Sequence, residues 1–142
     1  MPPEYLALPM PENLAGQRIG QYTVVEKIGE GGMGAVWKAR DEKLGRYAAL
    51  KFLGRLDDAD RRVRFALEAR AASALNHPGI VTIYDILEPD GRACIAMEYV
   101  EGQTLGTVIP AGGLAAKELL ALAIQLADAL AVAHKGGVVH RD

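Results

Sequence analysis

The residues best suited to chemistry begin with a glycine-rich stretch. Gly29, Gly31 and Gly34, followed by Val36, carry the spacing G-x-G-x-x-G-x-V. Because glycine has no side chain, the backbone N–H groups of such a turn can approach a phosphate chain closely. The stretch therefore indicates either a phosphate-binding loop or an ordinary glycine-rich hairpin, and the spacing alone does not separate the two.

Two other phosphate-binding designs do not fit this stretch. A dinucleotide-binding turn opens a helix whose N-terminus meets the pyrophosphate, whereas the residues after Gly34 follow a strand pattern with the β-branched Val36 and the aromatic Trp37. A Walker A loop has Lys followed by Ser or Thr after its last glycine, and this chain has Ala35 and Val36 there. The pattern therefore favours a glycine-rich hairpin between two strands.

Lys51 and Glu68 are the next candidates. Lys51 follows the small and apolar residues Ala48–Leu50, so it either extends to solvent from a strand or has a buried partner. Glu68 shares the apolar face of a predicted helix, where a carboxylate is costly unless it is paired. Its partner is either Arg64, one turn earlier, or Lys51 across the domain.

Composition excludes several classes of protein. A net charge of -2 and a pI of about 5.9 argue against a nucleic-acid-binding surface. The single cysteine, Cys94, forms no internal disulfide, and the histidines lack acidic or cysteine partners at ligand spacing, so no metal site is predicted. The longest apolar run is shorter than the roughly 20 residues that a bilayer requires, so no membrane segment is expected in this chain.

The elements that must position these residues follow from periodicity. Apolar and polar residues alternate in five segments, which predicts five strands: 22–28, 35–40, 47–53, 80–87 and 92–99. Helices are predicted over 57–75 and 114–135, the second closed by the pair Gly136–Gly137. Residues 104–109 are at best a short helix, and residues 1–20, with four prolines, are expected to form a flexible leader.

These motifs together resemble a bacterial eukaryotic-type (Hanks-type) serine/threonine protein kinase. The glycine loop, the strand 48–51 in place of V-A-I-K, Glu68 in the position of the helix αC glutamate and the terminal His140-Arg141-Asp142 occur in the order of that family. The resemblance runs from about residue 20 to the last residue. It implies an α+β fold: a five-stranded antiparallel N-lobe with helix αC over residues 21–100, then the first helices of a truncated helical C-lobe over 101–142.

The resemblance also implies a role for each site residue. The glycine loop would cover the phosphates of ATP, Lys51 would bridge the α- and β-phosphates, and Glu68 would orient Lys51. Asp142 would be the catalytic base for a Ser or Thr hydroxyl of a protein substrate. The residues that would line the ATP site are Ile28, Gly29, Glu30, Gly31, Gly32, Met33, Gly34, Val36, Ala49, Lys51, Met97, Glu98 and Val100.

One departure from the family concerns the metal. The asparagine and the D-F-G aspartate that hold Mg²⁺ in kinases would lie beyond Asp142, so the 142-residue chain is expected to be an incomplete kinase domain without activity of its own. The alternative is a non-catalytic nucleotide-binding or scaffold module. A cytoplasmic location is expected, with membrane anchoring of a longer parent chain left open.

Overall fold

The computed structural model describes residues 12–31, 34–55 and 59–140. An antiparallel sheet of six strands, in the order β1-β2-β3-β4-β6-β5, forms its centre. The strands are β1 (Arg18–Ile19), β2 (Tyr22–Gly31), β3 (Gly34–Asp41), β4 (Arg46–Arg55), β5 (Ile83–Leu87) and β6 (Arg92–Glu98). The helices are α1 (Ala59–Ser73), α2 (Leu105–Val108) and α3 (Ala116–Lys135), with a 3₁₀ turn at Pro89–Gly91.

The alternation in the sequence decides which face of the sheet is buried. Trp37 lies opposite Leu50, and Leu50 lies opposite Ala96 on the next strand. Since side chains two apart share a face, these rows form one apolar surface together with Phe52 and Cys94. All five predicted strands are confirmed; the sixth, β1, has only two residues and was not predicted.

The N-terminal segment corrects the expectation of a flexible leader over residues 1–20. Leu14 and Ile19 are buried in the core of the sheet. The N–H of Gly16 donates to the carbonyl of Val24, and the N–H of Val24 donates to the carbonyl of Gln17. Residues 12–20 therefore belong to the fold, because their two aliphatic side chains cover the apolar sheet face; residues 1–11 lie outside the described residues.

Asp41 organises the turn between β3 and β4. Its side chain is fully buried, and Oδ1 accepts the backbone N–H groups of Lys43 and Leu44, each at 3.0 Å. Oδ2 accepts the amide of Gln21 at 2.9 Å, with Nε of Arg46 at 4.0 Å. Burial by itself raises the pKa of Asp41, but these donors and the charge of Arg46 outweigh it and hold the pKa below its ordinary value.

We expect the stability that Asp41 contributes to depend on pH. A carboxylate with a lowered folded-state pKa contributes stability above its unfolded pKa, about 3.9, and that contribution is lost as the pH falls through the folded pKa. Asp41→Asn should therefore lower the free energy of unfolding at pH 7, and the difference from the parent chain should shrink at pH 3. Urea unfolding at both pH values measures this. The exposed Asp90 provides the control Asp90→Asn; an equal loss at both pH values for Asp41→Asn would contradict the prediction.

Helix α1 packs on the edge of the sheet formed by β5. Ala69 is the one buried side chain among those described for this helix, and Phe65 and Ala72 are half-buried beside it. The predicted start of the helix near residue 57 lies outside the described residues, and its end at Ser73 is two residues earlier than the predicted Leu75.

The C-terminal half of helix α3 contacts the residues that follow α1. Ala129 is the only buried residue of this helix, all of which the structure describes. Beside it, Nε2 of His77 is 2.8 Å from Oδ2 of Asp128, and the N–H of Gly79 donates to Nδ1 of His77 at 2.9 Å. Because Nδ1 accepts this bond, the ring proton is on Nε2, which donates to Asp128.

The C-terminal end of α3 agrees with the predicted glycine stop. Gly137 has a φ of +79°, in the left-handed region. Its N–H donates to the carbonyl of His134, and the N–H of Val138 donates to the carbonyl of Ala133. This pair of bonds is a Schellman motif, which satisfies the last carbonyls of the helix. A sheet with α1 followed by helices alone is the expected α+β arrangement.

Candidate functional site

The glycine-rich stretch forms the hairpin between β2 and β3. Gly29 lies opposite Val36, and Gly31 lies opposite Gly34, so the prediction of strand–turn–strand is confirmed and no helix follows the glycines. Gly34 has a φ of +132° and approaches the backbone of Phe52 in β4. Gly32 and Met33 lie outside the described residues.

The strand register brings four of the predicted site residues onto one face. Val36 lies opposite Lys51, and Ala49 lies opposite Met97. These residues alternate with the core residues of their strands, so their side chains lie on the sheet face opposite the main apolar core. Ala49 is buried, whereas the other three are half-buried. An apolar surface with a lysine at one end therefore lies beside the glycine hairpin.

Ile28 and Glu30 sit in a less regular part of β2. The register shifts between Lys27 and Gly29, so Ile28 is an extra residue without a direct partner on β3. Its side chain is exposed, and Glu30 pairs with Lys27 across the bulge. The bulge increases the twist of the hairpin, which turns the glycine stretch relative to the rest of the sheet.

Lys51 and Glu68 do not form the predicted ion pair. Glu68 is exposed on α1 and has an interaction of its own, while none of the ion pairs between described residues includes Lys51. The expectation that Glu68 lies on the buried stripe is wrong, because α1 is rotated so that Ala69 and its neighbours face β5. Helical periodicity predicts which residues share a face of α1, but it does not predict which face turns toward the sheet.

The segment after Met97 is fixed by Glu98. The N–H of Glu98 donates to the carbonyl of Thr82 at 2.8 Å, and the Glu98 carboxylate accepts the N–H of Thr82 at 3.1 Å. These two bonds tie the end of β6 to the residues preceding β5. Beyond them Val100 is exposed, and the chain has no regular structure until α2, whose first turn is capped by Oγ1 of Thr104.

The terminal motif is described only at its first residue. His140 is exposed and takes part in an interaction, whereas Arg141 and Asp142 lie outside the described residues. Among the described residues no group of three or more His, Cys, Asp or Glu side chains could hold a metal ion. Burial raises the pKa of the Cys94 thiol to about 12, so this cysteine remains a protonated core residue.

Sequence reasoning did not anticipate the following two contacts of polar side chains. Lys38 lies over the rings of Tyr47 and Tyr99, and His77 bonds to Asp128. The ring of His77 also accepts the N–H of Gly79, which fixes the turn after α1. The alternation of β3 and β4 would have placed Lys38 and Tyr47 on one face, but the sequence carries no signal for the partner on α3.

Comparison with known proteins identifies the group to which these features correspond. The protein kinase domain family model matches residues 22–142. The serine/threonine-protein kinase PrkC of Bacillus subtilis is 47% identical over 134 residues, which cover 91% of this chain and 20% of PrkC. PknA of Mycobacterium tuberculosis is 40% identical over 131 residues, 87% of this chain and 30% of PknA. The chain thus spans less than a third of these relatives.

A solved structure gives the same result for the fold. The chain is similar to the crystal structure of the Mycobacterium tuberculosis PknI kinase domain, with a TM-score of 0.76 and 36% sequence identity. The alignment covers 90% of this chain and 54% of that kinase domain. No helix in the described part of the chain is long and apolar enough to cross a membrane.

Proposed function

Because the chain belongs to the serine/threonine protein kinase family, we propose that it forms the ATP-binding part of an enzyme that transfers phosphoryl groups from ATP to Ser or Thr of protein substrates. The observation that carries this proposal is the strand register, with Val36, Ala49, Lys51 and Met97 on one face beside the glycine hairpin. We further propose that residues 21–100 act as the N-lobe and hinge and that residues 101–142 begin the C-lobe.

Each residue then has a physical task. The apolar side chains of Val36, Ala49 and Met97 exclude water above the adenine ring, and the backbone of Glu98 and Val100 offers hydrogen bonds to its edge. The open N–H groups of the glycine hairpin and the Lys51 ammonium hold the phosphates. Asp142 accepts the proton of the substrate hydroxyl.

Magnesium supplies charge neutralisation at the β- and γ-phosphates of a kinase. The described residues include no cluster of metal ligands, and the asparagine and the D-F-G aspartate that hold this metal in kinases would follow Asp142 in the family pattern. We propose that a polypeptide of these 142 residues alone binds ATP without transferring its phosphoryl group. We also propose a cytoplasmic location for this segment.

A non-catalytic nucleotide-binding module is the second candidate. The exposed Glu68 favours it, since an active kinase requires the ion pair between the strand lysine and the αC glutamate. Phosphorylation by a polypeptide that extends beyond Asp142 separates the candidates. Transfer that is abolished by Lys51→Met supports the kinase, whereas nucleotide binding with no transfer supports the module.

We expect ATP to bind weakly to the 142-residue chain, with a dissociation constant in the high micromolar to millimolar range, roughly 4–6 kcal/mol. Lys51→Met should weaken binding about fivefold, the effect of losing one half-buried charge contact. Displacement of a fluorescent ATP analogue at low protein concentration measures the ATP affinity of the parent chain and of the Lys51→Met variant. The control is Lys43→Met, since Lys43 is exposed on the turn after β3. Tight binding that requires Mg²⁺, or equal affinities for the parent chain and Lys51→Met, would contradict the proposed site.

A further inference from the structure

The side chain of Lys38 is held between two tyrosine rings. Its Nζ lies 4.3 Å from the ring centroid of Tyr47 and 4.6 Å from that of Tyr99. The two rings meet edge to face, with centroids 6.4 Å apart and an interplanar angle of 65°. An ammonium group within about 6 Å of an aromatic face is attracted to it, and more strongly where water is partly excluded. Lys38 and Tyr99 are both half-buried.

This cluster joins two neighbouring strands of the sheet to the segment that leaves it. Lys38 is on β3, Tyr47 is on β4, and Tyr99 is the first residue after β6. Glu26 lies opposite Lys38 on β2, yet the ion pairs between described residues include none with Lys38. The cation is therefore directed to the two rings, and its role does not depend on a carboxylate.

Tyr99 lies where the chain loses its regular hydrogen bonding. Glu98, the last residue of β6, lies opposite Ala48 of β4 and is bonded to Thr82, and the next helix, α2, begins at the Thr104 cap. Between them Gly102 has a φ of +140°, and Val100, Glu101 and Gly102 are exposed. Tyr99, the residue after Glu98, thus attaches this segment to the sheet through its side-chain contacts with Lys38 and Tyr47.

We propose that Lys38, Tyr47 and Tyr99 form a positioning clamp that fixes the segment 99–102 for recognition of the adenine base. This inference rests on the proposed function, which assigns the backbone of Val100 to the adenine edge. In this proposal Lys38 acts through Tyr99 and not by contacting the base or the phosphates itself. The clamp should therefore control affinity for the base and leave affinity for the phosphates unchanged.

Two measurements on the 142-residue chain test the clamp. The first is hydrogen exchange of the backbone amides of residues 99–102 by mass spectrometry, without nucleotide. The second is displacement of a fluorescent ATP analogue by adenosine, which uses the base site, and by tripolyphosphate, which uses the glycine hairpin and Lys51. The variants are Lys38→Met, which keeps the length of the stem and removes the charge, Lys38→Arg, which keeps the cation, and the exposed-lysine control Lys43→Met.

Loss of the clamp is expected to affect the adenine part of the site and to leave the phosphate part unchanged. Lys38→Met should speed exchange at residues 99–102 and weaken adenosine binding about threefold to fivefold, as expected from loss of a cation–π contact, with tripolyphosphate binding unchanged. Lys38→Arg should keep the exchange rate and the adenosine affinity of the parent chain, and Lys43→Met should match the parent chain in both. Equal weakening of adenosine and tripolyphosphate, or no change in exchange at residues 99–102, would overturn the clamp.

The proposed function and the clamp fail in different ways. If the parent chain binds neither adenosine nor tripolyphosphate, the proposed nucleotide site is wrong, and the exchange measurement still decides whether Lys38 fixes the segment. If the parent chain binds both probes and Lys38→Met leaves adenosine affinity and exchange unaltered, the site stands and the clamp is wrong.

Discussion

Gly34→Ala is expected to lower the free energy of unfolding by about 3 kcal/mol or more, in the range of the most damaging single substitutions. A Cβ at this position would lie 1.7 Å from the backbone oxygen of Phe52. That oxygen belongs to β4, in the centre of the sheet, so it cannot move aside as the end of a flexible side chain could. The φ of +132° adds strain for any residue other than glycine.

Gly29→Ala is the matched control for this substitution. Gly29 is in the same hairpin, and a Cβ there would meet only Cβ of Val36 at 3.8 Å, an ordinary contact. Urea unfolding followed by circular dichroism should therefore show a small change for Gly29→Ala and a large one for Gly34→Ala. Similar stabilities for the two variants would mean that the hairpin and β4 are not packed as described.

The 142-residue chain is expected to self-associate through helix α3. Large apolar side chains of this helix are exposed: Leu119, Leu120, Ile124, Leu126 and Leu130. Burying one such side chain contributes roughly 1.5–3 kcal/mol, so several together rival the stability of a small domain. A contiguous exposed surface of this kind promotes association with other chains. Sedimentation velocity over a range of concentrations should show oligomers or aggregates.

Two altered polypeptides show whether α3 is the cause. The double variant Leu120→Lys with Ile124→Lys changes the two most exposed large apolar side chains of the helix, at 61% and 68% exposure, and should shift the chain toward monomer. A polypeptide that ends at Glu101 lacks the helix and should behave in the same way. A monodisperse, protease-resistant monomer of the parent chain would contradict the prediction and would favour a self-sufficient binding module.

The positions of the long strands were predicted from the sequence more accurately than the structure of the N-terminal residues. Alternation over five or more residues marked β2, β3, β4, β5 and β6, because one face of each is packed and the other is not. The two-residue strand β1 is too short to alternate, and the prolines before it suggested a leader. Burial of Leu14 depends on the shape of the finished sheet, which local sequence does not encode.

Only part of the candidate site could be predicted, because some of its contacts depend on how the helices and strands pack. Motif spacing identified Lys51 and the glycine hairpin, and the register then placed Lys51 with Val36. The orientation of Glu68 was not predictable, since it depends on how α1 is rotated against β5. Tyr99 was missed because its contact with Lys38 joins residues that are adjacent only after β3, β4 and β6 pair.

The attachment of the C-terminal half of α3 near Ala129 gives the helix the geometry of a lever. Thirteen residues separate Ala116 from Ala129, which at about 1.5 Å per residue makes an arm of roughly 20 Å on the N-terminal side. A rotation of about 10° at the His77–Asp128 bond would displace the far end of this arm by roughly 3.5 Å. That end is joined to α2 by residues 109–115, so a small change at the pivot is amplified at the connection between α2 and α3.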